Sequence, residues 1–527
     1  MPLHIVAFEI GSSHIKGAVG TVEDTGNINI VAVEEAPLFG CVRHGRVLNV
    51  EETGNRILEI KRKLENHSTV TPLKISGAFV SLGGRSLASY PIETSRALGD
   101  ETEITHDIEK QLIEQAKTCC KTDKEILSVV PCAYCVDGRW QRKVVGMYAN
   151  EIKGRFSVIT ASKDAKKNLR RAFDHAGLKI LSNVVRPLAQ ADAVLTRDER
   201  SLGCVLVDLG AETTTVSIYK DRSLRYLRTI PLGGRAITRD LATALSLPED
   251  RAEDIKIFQG SALVSENDDL GTRNIDGLDT TTINNYVRAR ANEIVANIMQ
   301  QLTYARLRPE DLPAGFIITG GTSILRGLKD LLHRDSGMKV RNAVPTERVK
   351  FSDPSVFAGQ MVDVISIIST AQRMGAAAEC LTDNKPQTGY YSTQYPRQTG
   401  YQRQQPLQQP QQPQYPHQSG YQGQQPLQQQ PQQGSGYQQT EQRPYAHPES
   451  PQQQVHNEIT DTEQVKMPNW TRDNTTTDSG SNNASDYNNT SHPLRDETKK
   501  KTIFDILKEK MVGYISESED DDDDSDE

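Results

Sequence analysis

From Pro2 to about Cys380 the chain carries apolar runs broken by turn residues, and after Asn384 apolar positions almost vanish. The first run, Ile5–Gly11, predicts a strand ending in Glu9-Ile10-Gly11-Ser12-Ser13. A second strand is expected over Ile15–Val22, a polar turn over Glu23–Asn27 and a third strand over Ile28–Val33. About 200 residues later the same plan returns. Val205-Leu206-Val207 runs into Asp208-Leu209-Gly210-Ala211-Glu212-Thr213, followed by strands at Thr214–Tyr219 and Leu224–Ile230 around the turn Lys220–Ser223. Strand, acidic-x-Gly turn, strand, turn, strand, built twice, implies two similar lobes facing each other.

Between the halves, residues 83–162 have their own alternation of strands. They enclose one helix, His106–Thr118, with Thr105 as its cap and Ile108, Leu112 and Ile113 at helical spacing. This reads as an inserted domain. Lys163–Ala176 predicts a basic amphipathic helix, and Thr238–Ile257 and Ile283–Leu307 read as mostly helical around a less regular stretch at Gly260–Gly277. Phe316–Thr319 is an apolar strand, followed by Gly320-Gly321-Thr322-Ser323 and a helix expected over Ile324–Leu332.

Asn384 to about Val455 is rich in Gln, Pro, Tyr and Gly, with Gly400–Gln409 duplicated at Gly420–Gln429. Such a composition cannot bury enough apolar surface to offset the entropy of ordering it, and the Asn/Thr/Ser/Asp-rich stretch to His492 is alike. The expectation is a disordered tether, about 60 Å across as a coil of roughly 115 residues. Beyond it, Thr502 and Asp505 make a capping box, and Ile503, Phe504, Leu507, Met511, Tyr514 and Ile515 fall on one helical arc. Lys499–Lys501 precede this arc and an acidic tail, Glu517–Glu527, follows it. An apolar stripe flanked by lysines, with no core of its own to join, points to docking on a lipid surface, with the protein's own body or a partner groove as the alternative. A single such helix binds weakly, so firm attachment would need assembly.

The formal net charge of −8 and the lack of a basic patch in the globular part exclude a nucleic-acid footprint. Seven cysteines without regular spacing fit reduced thiols, and the lone Cys132-x-x-Cys135 reads as part of a strand. The N-terminus lacks the pattern of a signal peptide, and no window is long and apolar enough to span a bilayer. Membrane association is therefore expected to be peripheral.

Bound phosphates need unobstructed backbone N–H groups, hydroxyls, and carboxylates that hold hydrated Mg²⁺. The two acidic-x-Gly turns offer all three from opposite sides. Glu9 and Asp208 end their strands facing a cleft, Gly11 and Gly210 permit the turns, and Ser12, Ser13, Thr213 and Thr214 supply hydroxyls and N–H donors. Gly320, Gly321 and Thr322 present open backbone suited to a nucleoside.

This ordered set resembles the phosphate-1, phosphate-2 and adenosine motifs of the actin/hexokinase/heat-shock-chaperone ATPase superfamily, and within it the FtsA family of bacterial cell-division proteins. The FtsA-like stretches are Pro187-Leu188-Ala189 through Arg200 and Ile230-Pro231-Leu232-Gly233-Gly234 through Thr238, and Ala252-Glu253-Asp254-Ile255-Lys256 is similar to the motif that approaches the nucleoside in bacterial actins. The resemblance implies an α/β, actin-like two-lobed ATPase fold with an inserted α+β subdomain, then a disordered Gln/Pro-rich linker and a C-terminal amphipathic helix. In its terms, subdomain 1A comprises 1–82, 163–197 and 350–381, subdomain 1C is 83–162, subdomain 2A is 198–242 with 301–349, and subdomain 2B is 243–300. The linker is 382–498, the membrane-targeting helix 499–516 and the acidic tail 517–527. The resemblance further implies ATP with Mg²⁺ held through water by Glu9 and Asp208. His14, Gly233, Gly234, Glu253 and Lys256 would join the turns at the nucleotide. The implied partners are the tubulin-like FtsZ, bound through subdomain 2B, other divisome proteins, membrane lipid, and further copies of the chain in filaments. The implied location is the cytoplasmic face of the inner membrane at the division septum.

Three departures stand out. Glu9 stands where the family usually has Asp, His14 where FtsA proteins commonly have Lys, and Ala211-Glu212 replaces Gly-Gly in the second turn. They imply retained binding with slow turnover, hence an assembly switch rather than an enzyme. A sugar or acyl kinase on the same fold is the alternative, but no substrate base or reason for the tail is evident in the sequence. A shape-determining actin is disfavoured by the insert and the anchor.

Overall fold

The computed structural model describes residues 3–23, 27–263, 274–275, 278–346, 349–352, 359, 361–374 and 380–382. The tether, the amphipathic helix with Ile503, Phe504, Leu507, Met511, Tyr514 and Ile515, and the acidic tail lie outside the described residues. Among the described residues, no helix is long and apolar enough to cross a membrane.

The first lobe is a six-stranded sheet in the order Lys179–Val185, Gly77–Leu82, Leu3–Ile10, His14–Val22, Ile28–Pro37, Val349–Phe351. The strands Leu3–Ile10, His14–Val22 and Ile28–Pro37 form the antiparallel meander expected from the first repeat, with Glu9 directly opposite Lys16. Both faces are covered. The methyl group that Gly17 lacks would strike Ile60 and Leu64 of helix Val50–Asn66, whereas the one Gly20 lacks would meet Ile368 of helix Val362–Arg373. Glycine lets both helices approach the sheet closely.

The second meander, Cys204–Leu209, Thr214–Lys220 and Ser223–Ile230, repeats the plan in a nine-stranded sheet continued by Gly315–Thr319 and Val340–Asn342. Helices Gly234–Leu245, Thr280–Tyr304 and Leu328–Ser336 supply its core through Ile237, Leu241, Ile294, Ile298 and Leu331. The same sheet runs on into the inserted strands Ala88–Glu103, Tyr148–Ala161, Glu125–Val136 and Arg139–Gln141 through the pairing of Ala88 with Arg228. The insert has its own core. Ile108, Leu112 and Ala116 of helix His106–Cys119 pack against Tyr134 and Phe156, whose rings meet edge-on at 5.9 Å. Cys132 and Cys135 are buried in one strand with free thiols, and the Thr105 cap is present.

Two helix boundaries differ from the expectation. The helix read over Thr238–Ile257 is two, Gly234–Leu245 and Glu249–Phe258, because Ser246 is left-handed (φ +53°) and Pro248 begins the next turn. The helix read over Ile324–Leu332 is a short 3-10 turn, Gly321–Ile324, followed by Leu328–Ser336, because Gly327 (φ +75°) reverses the chain between them.

Candidate functional site

The two acidic-x-Gly turns are alike in detail. Gly11 N–H donates to His14 O at 3.0 Å, and Gly210 N–H to Thr213 O at 2.8 Å. They face each other across the cleft between the lobes and are tied through one loop. Gly45 N–H donates to Ser12 Oγ at 2.9 Å, and the adjacent His44 N–H donates to Glu212 Oε2 at 2.7 Å. His44 Nδ1 also lies 3.0 Å from the Glu212 carbonyl. Arg235 and Arg239 hold the Glu212 carboxylate from its own lobe, each at 3.4 Å.

The third element packs directly on the second turn. Thr322 Oγ1 donates to Gly210 O at 2.9 Å, and Gly234 N–H reaches the same carbonyl at 3.1 Å. Gly320 has φ +87°, and a Cβ there would lie 2.6 Å from Asp208 Oδ1. A Cβ on Gly233 would lie 2.5 Å from Gly210 O and 2.7 Å from Ala211 O. These glycines let three backbone segments close around one space. Gly321 is open, with nothing within 4 Å of its missing Cβ. On helix Glu249–Phe258, Lys256 Nζ donates to both Glu253 oxygens at 2.7 Å and to Thr238 Oγ1 at 3.1 Å. Burial draws the Lys256 ammonium below its usual range despite Glu253.

The structure therefore brings Glu9, Gly11, Ser12, Ser13, Asp208, Gly210, Thr213, Gly233, Gly234, Glu253, Lys256, Gly320, Gly321 and Thr322 to the turns that face the cleft and the elements packed on them. Two residues act differently. The Thr214 hydroxyl is buried and donates to Leu232 O at 2.8 Å, so it fastens the turn. His14 is exposed, with Nδ1 3.1 Å from Ser13 Oγ and 3.8 Å from Glu35. The lysine two positions on, Lys16, lies directly opposite Glu9 and is the cation of that strand nearest the carboxylates.

The centre of the cleft is a charge cluster that motif reading missed. Arg186, the first residue of helix Arg186–Val194, puts Nη1 2.6 Å from Glu9 Oε1 and Nε 3.4 Å from Asp208 Oδ2. One turn on, Gln190 Nε2 donates to Asp208 Oδ2 at 3.1 Å and to Asp363 Oδ1 at 2.7 Å. Burial, then the charge of Asp363, pushes the Glu9 carboxyl up to about 7 from its ordinary 4.5, against the pull of Arg186 and Lys16. Burial likewise raises Asp208. Burial would lower Lys16, but Asp363 and Glu9 outweigh it and hold the ammonium above its usual range.

A magnesium ion held by Glu9 and Asp208 does not fit this arrangement. The cation between the two carboxylates is the Arg186 guanidinium, with Lys16 alongside.

Two family models match the chain. One, the SHS2 domain inserted in FtsA, covers residues 84–160, and the other, cell division protein FtsA, covers 205–360. The cell division protein FtsA of Porphyromonas gingivalis is 33% identical over 348 residues, 63% of this chain and 72% of that protein. The chain belongs to the FtsA family of cell-division proteins. The FtsA of Neisseria meningitidis is 29% identical over 360 residues, covering 66% of this chain and 86% of its own length. Among solved structures, a chain of the PilM-PilN type IV pilus biogenesis complex covers 70% of this chain and 98% of its own length. Its TM-score is 0.50 at 18% identity, and the shared fold is the actin-like ATPase fold. In this FtsA-family chain the SHS2 match coincides with the inserted strands and their helix, and the FtsA match carries Asp208, the second turn and the Gly320 loop. The FtsA relatives are named for cell division and not for a catalysed reaction.

Proposed function

We propose that this FtsA-family chain binds ATP in the cleft between its lobes, assembles with copies of itself on the cytoplasmic face of the inner membrane, and tethers FtsZ filaments there at the division septum. The observation that carries the nucleotide reading is the convergence of three open-backbone segments, Gly11–Ser13, Gly210–Thr213 and Gly320–Thr322, on one space between two lobes of like plan. The reading of an assembly switch, not a kinase, is supported by the carboxylates. Glu9 is bound by Arg186, and Asp208 and Asp363 by Gln190, so none stands free as a base for a substrate hydroxyl.

FtsZ is assigned to subdomain 2B, 243–300, where Ile257, Phe258 and Tyr286 are exposed apolar side chains suited to a protein contact. Lipid is assigned to the segment carrying Ile503, Phe504, Leu507, Met511, Tyr514 and Ile515, and other divisome proteins complete the set of partners. Co-sedimentation of the full chain with FtsZ polymers and anionic liposomes, with and without ATP, tests the reading. The chain should bring FtsZ down with the vesicles. FtsZ that stays in the supernatant while the chain pellets would remove the tethering role.

A further inference from the structure

A site built to hold a nucleotide through a hydrated divalent ion presents carboxylates to that ion's water shell. In this chain Glu9 and Asp208 present theirs to an arginine. The Arg186 guanidinium is enclosed, with Nη1 2.6 Å from Glu9 Oε1 and Nε 3.4 Å from Asp208 Oδ2. Gly83 seals one side, since a Cβ at that position would lie 2.8–3.0 Å from Nη2, Cζ and Nε. The side chain is buried, and Pro187 behind it fixes the start of its helix. Nε is also a buried donor without a hydrogen-bond acceptor, despite its closeness to Asp208. Two cations, Arg186 and Lys16, thus face the three carboxylates Glu9, Asp208 and Asp363. A dication added beside the guanidinium would meet repulsion from both at close range.

Resting on the nucleotide reading of the cleft, we propose that Arg186 takes the place of the divalent ion. Its fixed guanidinium neutralises Glu9 and Asp208 and keeps a positive charge beside the two phosphate-type turns, so a nucleoside polyphosphate binds this chain without magnesium. Arginine suits the role because its planar fork stays charged at every working pH and pairs with carboxylate and phosphate alike. Lys16 adds the second charge that a magnesium ion would have brought.

Calorimetric titration of the full chain with ATP, once in excess MgCl₂ and once in EDTA, tests the proposal. The two dissociation constants should agree within about threefold. In Arg186→Gln, with the carboxylates uncovered, affinity in EDTA should fall at least about tenfold below that in magnesium. Wild-type chain that loses about tenfold or more in EDTA overturns the role given to Arg186 and leaves the nucleotide reading standing. Wild-type chain that binds ATP in neither medium at millimolar concentration removes the nucleotide reading itself. The wild-type comparison decides the matter even where Arg186→Gln fails to fold.

Discussion

Replacing Glu212 with alanine tests whether the two phosphate-type turns are held together by the chain itself. The carboxylate is only 3% exposed, accepts the His44 N–H from the opposite lobe at 2.7 Å, and lies 3.4 Å from both Arg235 and Arg239. A backbone hydrogen bond to a buried carboxylate contributes about 1.5–3 kcal/mol. The two guanidinium contacts come from the same lobe as Glu212, so they position the carboxylate and add nothing across the lobes. Removing the side chain should therefore weaken the link by about 1.5–3 kcal/mol, while the bond from the His44 ring to the Glu212 carbonyl remains. Since about 1.4 kcal/mol is tenfold in an opening equilibrium, amide exchange over residues 41–48 should speed up by about tenfold or more. Glu212→Gln keeps the acceptor and loses the charge, so it should fall between the two. Hydrogen exchange read by mass spectrometry measures both. If exchange in Glu212→Ala stays within about threefold of the parent across that loop, the carboxylate does not hold the lobes and the reasoning fails.

Protonation of Glu9 should make stability depend on pH. Its carboxyl is raised to about 7 from 4.5 by burial and Asp363, so over that window the native chain holds a proton the unfolded chain has released. Stability should fall as pH rises from about 4.5 to 7 and level off above, and Glu9→Gln should flatten this segment of a urea-midpoint profile. Gly233→Ala should destabilise by about 1–3 kcal/mol in thermal or denaturant unfolding, because its Cβ would meet two carbonyl oxygens of the second turn at 2.5 and 2.7 Å. Gly321→Ala, with open space around its Cβ, should stay within about 0.5 kcal/mol of the parent. Deleting residues 503–515 should leave the chain in the supernatant of a liposome flotation assay, and a truncated chain that still floats with vesicles refutes the anchor.

The hairpins were legible because their signals are local. Alternating apolar residues, an acidic residue and a glycine within a short span suffice to place Glu9–Ser13 and Asp208–Thr214 on strand-turn-strand units, and the repeat pairs them. The charge cluster was not legible, because its members come from separate elements and only burial makes them act together. Arg186 reads as an ordinary residue before Pro187, and Asp363 as an ordinary first-turn acid of helix Val362–Arg373. A signal did exist for Lys16. With a turn of known length after Glu9, hairpin register sets Lys16, and not His14, opposite it. Gly327 shows the limit of helical periodicity, since the same glycine can sit inside a helix or reverse the chain before one.

Two features at the phosphate turns make physical sense together. In both, a charge carried by the chain stands where the resemblance leads one to expect bare backbone or a bound ion. Glu212 replaces a glycine of the second turn and reaches across to the loop at His44, and Arg186 lies between the carboxylates expected to serve magnesium. Both contacts span the lobes, Glu9 and His44 belonging to the first and Asp208 and Glu212 to the second. Lobes joined internally at two points have less to gain from a ligand that would otherwise close them, because a ligand shifts an equilibrium only by its differential affinity for the two states. Assembly of this chain should then depend less on nucleotide than assembly of a relative with glycine at the second turn and an open metal site. The paired substitutions Glu212→Gly and Arg186→Gln should restore that dependence. Sedimentation of the double variant with and without ATP reads this directly, and an unchanged ATP response would separate the lobe contacts from assembly.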